Sequence, residues 1–78
     1  MPQIKIYTTP FCVYCKEVKE LLSKNNFNYL EVDVTQDEKA LNYIVSKTGQ
    51  MAVPVIEINN QIIVGFDKNQ ILKALNLA

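Results

Sequence analysis

The sequence predicts an α/β fold with the element order β-α-β-α-β-β-α. Two observations favour it: apolar residues switch between a period of two and a helical period, and polar turn residues separate these segments. Because 49% of the residues are hydrophobic and only 2 of the 78 are glycine, we expect an ordered chain. A chain of this length has room for one compact core, so we expect residues 1–78 to form a single domain.

The first two predicted elements, a strand and a helix, lie on either side of Thr9-Pro10-Phe11. Residues 4–8 alternate apolar and polar side chains, which predicts a strand, and Thr9-Pro10-Phe11 interrupts the pattern. From Cys12 to about Asn25, an apolar stripe recurs at helical spacing opposite a charged face. A strand is therefore predicted to end, and an amphipathic helix to begin, next to Cys12.

The second strand and second helix are predicted from local signals. Residues 29–34 form a second strand candidate. Thr35, followed three residues later by Glu38, resembles a capping box that opens a helix, and Gly49 suits the C-terminal cap of that helix. The resulting βαβ unit should have parallel strands and a right-handed crossover.

The last three predicted elements are two strands joined by a tight turn and a short helix. Residues 55–58 and 61–64 flank Asn59-Asn60, and asparagine tolerates the positive φ of a tight hairpin turn. Asp67, followed three residues later by Gln70, resembles a second capping box and predicts a short C-terminal helix.

Charge and hydropathy exclude several classes of function. Eight lysines balance eight acidic residues and the chain has no arginine, which argues against a nucleic-acid-binding protein. No apolar run is long enough for a transmembrane helix, and residues 1–5 do not resemble the start of a signal peptide. We therefore expect a cytoplasmic protein that binds neither membranes nor nucleic acids.

Cys12 and Cys15 carry the chemistry of the chain. The helix N-terminus offers unpaired N–H groups and a partial positive charge, so a thiolate at Cys12 should have a lowered pKa. Cys15 falls on the apolar stripe and should be more buried. Cys12 is thus predicted to attack a disulfide, and Cys15 to resolve the mixed disulfide that forms. Since the chain has no histidine, a cysteine–histidine dyad is excluded, and Lys16 is a candidate for additional activation.

Three other interpretations of the cysteine pair stay open at this point. A metal or iron–sulfur site usually needs four nitrogen or sulfur ligands, so two cysteines would require outside ligands or a dimer. A structural disulfide across so short a loop would remove little entropy from the unfolded chain. The two residues could also be inert core cysteines, although Cys12 lies at a polar helix start.

Three motifs resemble those of the glutaredoxins and their small redoxin relatives. The resemblance covers essentially the whole chain, and it implies a minimal thioredoxin fold, with a four-stranded mixed sheet in the order 2-1-3-4 flanked by three helices. The motifs are Tyr7-Thr8-Thr9-Pro10-Phe11-Cys12-Val13-Tyr14-Cys15, Ala52-Val53-Pro54 and Gly65-Phe66-Asp67.

The resemblance also implies site residues. Val53-Pro54 matches the cis-proline of the family, and a cis bond would turn the Val53 backbone toward Cys12, where it could pair with a bound peptide. Tyr14 would lie beside the active site, unless it is only an exposed aromatic residue. Asp67 would hold the γ-glutamyl end of glutathione or only cap the last helix. The implied substrate or glutathione groove contains Thr9, Tyr14, Ala52, Val53, Pro54, Gly65, Phe66 and Asp67.

The implied activity is that of a monomeric dithiol oxidoreductase. It would reduce protein disulfides or glutathione mixed disulfides, with no bound cofactor and with glutathione as a possible reductant or substrate. Thr9 stands where many glutaredoxins have lysine, Val13 where they usually have proline, and Val64 where they have the first glycine of a pair. These differences are compatible with the NrdH-type redoxins, which thioredoxin reductase, a flavoprotein, reduces and which supply ribonucleotide reductase.

A third hypothesis belongs to a different functional class. Two copies of the chain would share an iron–sulfur cluster through Cys12, as a dimeric cluster or metal carrier. The exposed thiolate expected at Cys12 motivates this hypothesis, and no other residue of the chain is assigned to a metal.

Overall fold

The structure is a computed structural model that describes residues 3–77. The expectation of no signal peptide and the ends of the predicted domain fall partly on Met1, Pro2 and Ala78, which lie outside the described residues. The seven elements follow the predicted order. They are β1 (Ile4–Thr8), α1 (Val13–Lys24), β2 (Leu30–Asp33), α2 (Glu38–Thr48), β3 (Val55–Ile58), β4 (Gln61–Val64) and α3 (Lys68–Ala74).

The four strands form one mixed sheet in the order β2-β1-β3-β4, as the resemblance implies. β1 and β2 are parallel, and β3 is antiparallel to both β1 and β4. Tyr7 lies opposite Val55, and Val55 lies opposite Val64. The last residues of β1 and β4 and the first residues of β3 therefore meet at one end of the sheet. We call it the cysteine end, because Cys12 and Cys15 follow β1 there.

Alternation along β1 divides the core into two layers. Ile4 and Ile6 face α1 and α3, whereas Tyr7 faces α2 on the other side of the sheet. Both layers are built mainly from β-branched residues of the strands and aliphatic residues of the helices. The fully or nearly fully buried side chains of the first layer are Ile4, Ile6, Val18, Leu22, Ile56, Ile58, Ile63, Ile71 and Leu75.

Two local conformations confirm the predicted chain turns. Asn59, in the turn between β3 and β4, has a φ of 54°, a value that asparagine adopts more readily than most residues. Gly49 ends α2 in the left-handed conformation with a φ of 76°, where a side chain would be strained. Asp67 caps α3 as predicted, since its Oδ1 accepts a hydrogen bond from the Gln70 N–H at 3.1 Å.

The predicted N-cap of α2 is wrong. Thr35 lies in the turn before the helix, where its hydroxyl and N–H both donate to Oδ1 of Asp33 at 2.6 and 2.9 Å. Asp37 is the N-cap instead, and its Oδ1 accepts the Ala40 N–H at 3.0 Å. The aspartate that ends β2 thus engages the threonine before the helix can, an Asx-turn arrangement that competes with capping.

A hydrogen bond between side chains ties α2 to the sheet. The Tyr43 hydroxyl, on α2, donates to the Glu57 carboxylate, on β3. Because this bond needs the phenol proton, it raises the pKa of Tyr43 to about 12. The Tyr43 ring also packs against Tyr7 with 5.8 Å between centroids, and burial raises the pKa of Tyr7. These contacts fix the helix that precedes the loop leading back to the cysteine end.

The corrected cap of α2 gives a stability prediction. Replacing Asp37 with alanine removes the acceptor of the Ala40 N–H, so the free energy of unfolding should fall by about 1 kcal/mol. Thr35→Ala is the matched control in the same turn and should cost less than about 0.5 kcal/mol, because Thr35 is exposed and caps nothing. Urea unfolding followed by circular dichroism measures both. A larger loss in Thr35→Ala than in Asp37→Ala would contradict the assignment.

Candidate redox site

Cys12 occupies the N-cap of α1. Its Sγ accepts a hydrogen bond from the Cys15 N–H at 3.0 Å, the role that a serine or aspartate oxygen usually has at this position. The preceding turn places it there, since the Cys12 N–H donates to the Thr9 carbonyl at 3.3 Å. A negative charge on this sulfur would meet the free N–H groups and positive dipole end of the helix.

Cys12 and Cys15 are joined as a disulfide, and they differ in exposure. Their Cα atoms are 5.2 Å apart, within the range that disulfide geometry requires. Cys15 is 1% exposed among the residues beneath α1, whereas Cys12 is partly exposed. The difference in burial follows from the helical stripe, as the sequence predicts, and only Cys12 can be approached from solvent.

The Val53–Pro54 segment lies at the same end of the sheet. The peptide bond between these residues is cis, and Pro54 is buried while Val53 is partly exposed. The Pro54 carbonyl accepts the Gly65 N–H at 2.8 Å, so this segment is joined to the one that follows β4. The three motifs noted in the sequence are thus brought together by the register of β1, β3 and β4.

The third motif turns the chain into α3. Gly65 has a φ of 81°, a conformation that strains residues with a side chain. Phe66 packs partly against the core layer beneath α1 and α3. Because Asp67 caps α3 through Oδ1, one of its carboxylate oxygens is already engaged by the backbone.

A pocket of about 490 Å³ adjoins Cys12 on the side facing β2. The sequence points to Lys16 but not to the two acidic residues of this pocket, because Glu31 and Asp33 reach it only through the parallel pairing of β2 with β1. The one sequence signal for this pocket is helical spacing, since Lys16 and Lys19 follow Cys12 at i+4 and i+7 and so fall on the same face of the helix. The lining residues are Thr8, Thr9, Pro10, Cys12, Lys16, Lys19, Glu31 and Asp33.

A small polar network orders this pocket. The Lys19 Nζ and the Glu31 Oε2 form an ion pair at 3.0 Å, and the same Oε2 accepts the hydroxyl of the buried Thr8 at 3.1 Å. Lys19 is therefore held by Glu31, whereas Lys16 forms no ion pair within the residues that the structure describes. Of the two lysines that line this pocket, Lys16 is therefore the better candidate to stabilise a thiolate at Cys12.

Two further features are absent from the described part of the chain. Between residues 3 and 77, no three or more cysteine, histidine, aspartate or glutamate side chains cluster so that they could hold a metal ion. No helix in that range has the length and hydropathy needed to span a membrane.

The family follows from a comparison with known sequences. The family model described as glutaredoxin matches residues 4–63, which is most of the chain and includes the cysteine pair and Val53-Pro54. The chain belongs to the glutaredoxin family. Members of this family are thiol–disulfide oxidoreductases, and the chain is a glutaredoxin-like redox protein with a Cys12/Cys15 pair.

Individual relatives agree with the family. The "uncharacterized glutaredoxin-like 8.6 kDa protein in rubredoxin operon" of Clostridium pasteurianum is 44% identical over 72 residues, covering 92% of this chain and 96% of that protein. The crystal structure of the thioredoxin-like protein BC3987 superposes with a TM-score of 0.85 at 32% identity, covering 92% of this chain and 99% of that one.

A third comparison concerns the fold alone. The glutaredoxin-like NrdH-redoxin from Escherichia coli has a TM-score of 0.84 at 24% identity, covering 91% of this chain and 92% of that one. The minimal thioredoxin fold that the sequence implies is therefore confirmed by family members and by this structural neighbour.

The pocket beside Cys12 gives a prediction about its thiol. In the Cys15→Ser background, Lys16→Met should raise the Cys12 pKa by removing a nearby positive charge. Glu31→Gln should lower it, because a negative charge is lost and Lys19 is released. Titration of the thiolate by its ultraviolet absorbance measures both shifts, and added salt should reduce them.

A matched control comes from the other side of α1. Glu17 lines a separate depression with Glu20, Leu21 and Lys24, so Glu17→Gln should change the Cys12 pKa less than Glu31→Gln does. Equal shifts in the two glutamate variants would mean that the pocket has no special influence on Cys12.

Proposed function

We propose that this chain is a dithiol oxidoreductase that reduces disulfides through Cys12 and Cys15. The observation that carries the proposal is the position of the Cys12 sulfur at the start of α1, 3.0 Å from the Cys15 nitrogen. This position supports a stabilised thiolate at the more exposed of the two cysteines. Membership in the glutaredoxin family gives independent support.

The proposed reaction balances with two thiols and one substrate disulfide. The Cys12 thiolate attacks one substrate sulfur, the substrate S–S bond breaks, and one substrate thiolate leaves. The deprotonated Cys15 then attacks Sγ of Cys12, and the second substrate thiolate leaves. Two electrons pass to the substrate, whose two thiolates take up protons, and the protein is left with the Cys12–Cys15 disulfide, the state present in this structure.

The proposed source of electrons is a thioredoxin-reductase-type flavoprotein. Glutathione carries two carboxylates and an ammonium group, and a site that binds it needs countercharges. The chain has no arginine, and Thr9 takes the place of the lysine that many glutaredoxins have. Asp67 is engaged with the α3 backbone through Oδ1. These features favour a flavoprotein reductase over glutathione, which is the alternative reductant.

The further proposed properties are the oligomeric state, the cofactor requirement, the compartment and the partners. We infer a monomer that works without a bound cofactor, since the two sulfurs of one chain suffice to take two electrons from the reductant and pass them to the substrate. The dithiol form needs a reducing compartment such as the cytoplasm. The proposed partners are the reductase and proteins that carry a reducible disulfide.

Single cysteine variants test the roles of the two sulfurs. Cys12→Ser should abolish disulfide reduction, because the solvent-accessible thiol of the pair is lost. Cys15→Ser should retain turnover only when glutathione is present, because an external thiol must then resolve the mixed disulfide. Rates of reduction of a protein disulfide and of a glutathione mixed disulfide measure both effects. Full activity in Cys12→Ser would overturn the mechanism.

A comparison of reductants tests the source of electrons. The oxidised protein should be reduced rapidly by NADPH with thioredoxin reductase and slowly by glutathione with glutathione reductase. NADPH consumption at equal enzyme concentrations gives both rates. A protein that is reduced only by glutathione would retain the dithiol mechanism and lose the proposed reductase.

A further inference from the structure

The most exposed large apolar side chains of the described residues all lie at the cysteine end. Phe11, Met51, Val13 and Tyr14 are exposed by 91%, 74%, 72% and 63%, ahead of Leu30, at 57%, which lies at the opposite end of the sheet. Phe11, Val13 and Tyr14 flank Cys12 along the chain, and Met51 belongs to the loop that ends at Pro54. We call these four residues the apolar collar.

The segments that form the collar carry no charge. Residues 9–15 and 49–54 contain no lysine, aspartate or glutamate, and the same holds for residues 61–66, which include β4 and the turn after it. The nearest charged residues along the chain are Lys16, Lys47 and Asp67, which border these segments. Apolar side chains grouped on a surface in this way are characteristic of a site that another molecule covers.

The position of the collar restricts what can cover it. Any molecule that reacts at Cys12 must bring a sulfur to the residue that Phe11 and Val13 flank, so the occupant is the substrate itself. A ligand whose groups are mainly ionic would lose water there without gaining partners of opposite charge. A protein segment with apolar side chains beside its disulfide would instead bury Phe11 and Met51 and lose no ionic contact.

We propose that the apolar collar selects protein disulfides whose neighbouring residues are apolar and uncharged. This inference rests on the proposed function, since it concerns the substrates of the Cys12–Cys15 pair. Phe11 and Met51 are its specificity-determining residues, because they are its two most exposed members, they come from two different loops, and neither belongs to a core layer. The mixed-charge pocket beside Lys16 lies on the β2 side of Cys12, outside the collar.

The proposal predicts both a sequence preference and a salt response. Two disulfide peptides are compared that differ only in the residues beside their cysteines, leucine and phenylalanine in one and glutamate and serine in the other. The second-order rate constant for oxidation of the prereduced protein should be about tenfold higher with the apolar peptide, the effect of burying one large apolar side chain. Because the contact is uncharged, added salt should change the rate with the apolar peptide little.

Variants locate the preference on the surface. Phe11→Ser and Met51→Ser should each lower the ratio of the two rate constants by several-fold, and the double variant should lower it further. Leu30→Ser is the control, because it removes an exposed apolar side chain far from Cys12 and should leave the ratio unchanged. The ratio cancels any general effect of a substitution on the reactivity of Cys12.

The outcomes separate the selectivity from the proposed function. Equal rate constants for the two peptides, a faster reaction with the charged peptide, or an equal loss in Leu30→Ser would overturn the apolar collar as a selecting surface. In each of these cases, reduction of the small uncharged disulfide 2-hydroxyethyl disulfide by the wild-type protein would still support the dithiol mechanism. A failure to reduce that compound would instead count against the proposed function.

Discussion

The central strand β1 is the constraint on which the rest of the structure depends. It is the only described strand paired in parallel on one side and antiparallel on the other, and its alternate residues enter both core layers. Its direction fixes where α1 starts and therefore where Cys12 is held. Its pairing with β3 returns Pro54 to the same end, and the β2 pairing brings Glu31 beside α1. A shift of register in β1 would separate all three.

Local patterns are sufficient to predict the elements, whereas a competing local turn and a nonlocal strand pairing explain the two details that they miss. The period-two and helical patterns predicted every strand and helix, and Gly49 and Asp67 were correctly read as caps because their effect is confined to one turn. The N-cap assignment of Thr35 is wrong because Asp33, only two residues earlier, engages its hydroxyl in a competing local turn. The cysteine spacing predicted the reacting pair, whereas the Lys19–Glu31 contact depends on strand pairing that the local sequence does not reveal.

The surroundings of Cys12 combine two different surfaces. On the β2 side, lysines and carboxylates form a polar pocket that adjoins Cys12. In the segments next to Cys12 along the chain and in the loop that ends at Pro54, the collar is apolar and carries no charge. We expect the two surfaces to have different roles, with the pocket adjusting the reactivity of the thiol and the collar selecting the substrates. Substitutions in one should affect thiol chemistry and those in the other substrate choice.

The Asn59-Asn60 turn lies at the end of the sheet opposite the cysteines. The Asn59 N–H donates to the Gln3 carbonyl, and the Asn59 Oδ1 accepts the Gln3 N–H, whereas Asn60 is exposed, so the tip of the hairpin is anchored on one side only. Exposed turns of this kind tolerate added chain. The molecule thus offers a natural attachment point: a tether or affinity label inserted after Asn60 would hold the protein on a surface or electrode with its reacting sulfur directed away from the support.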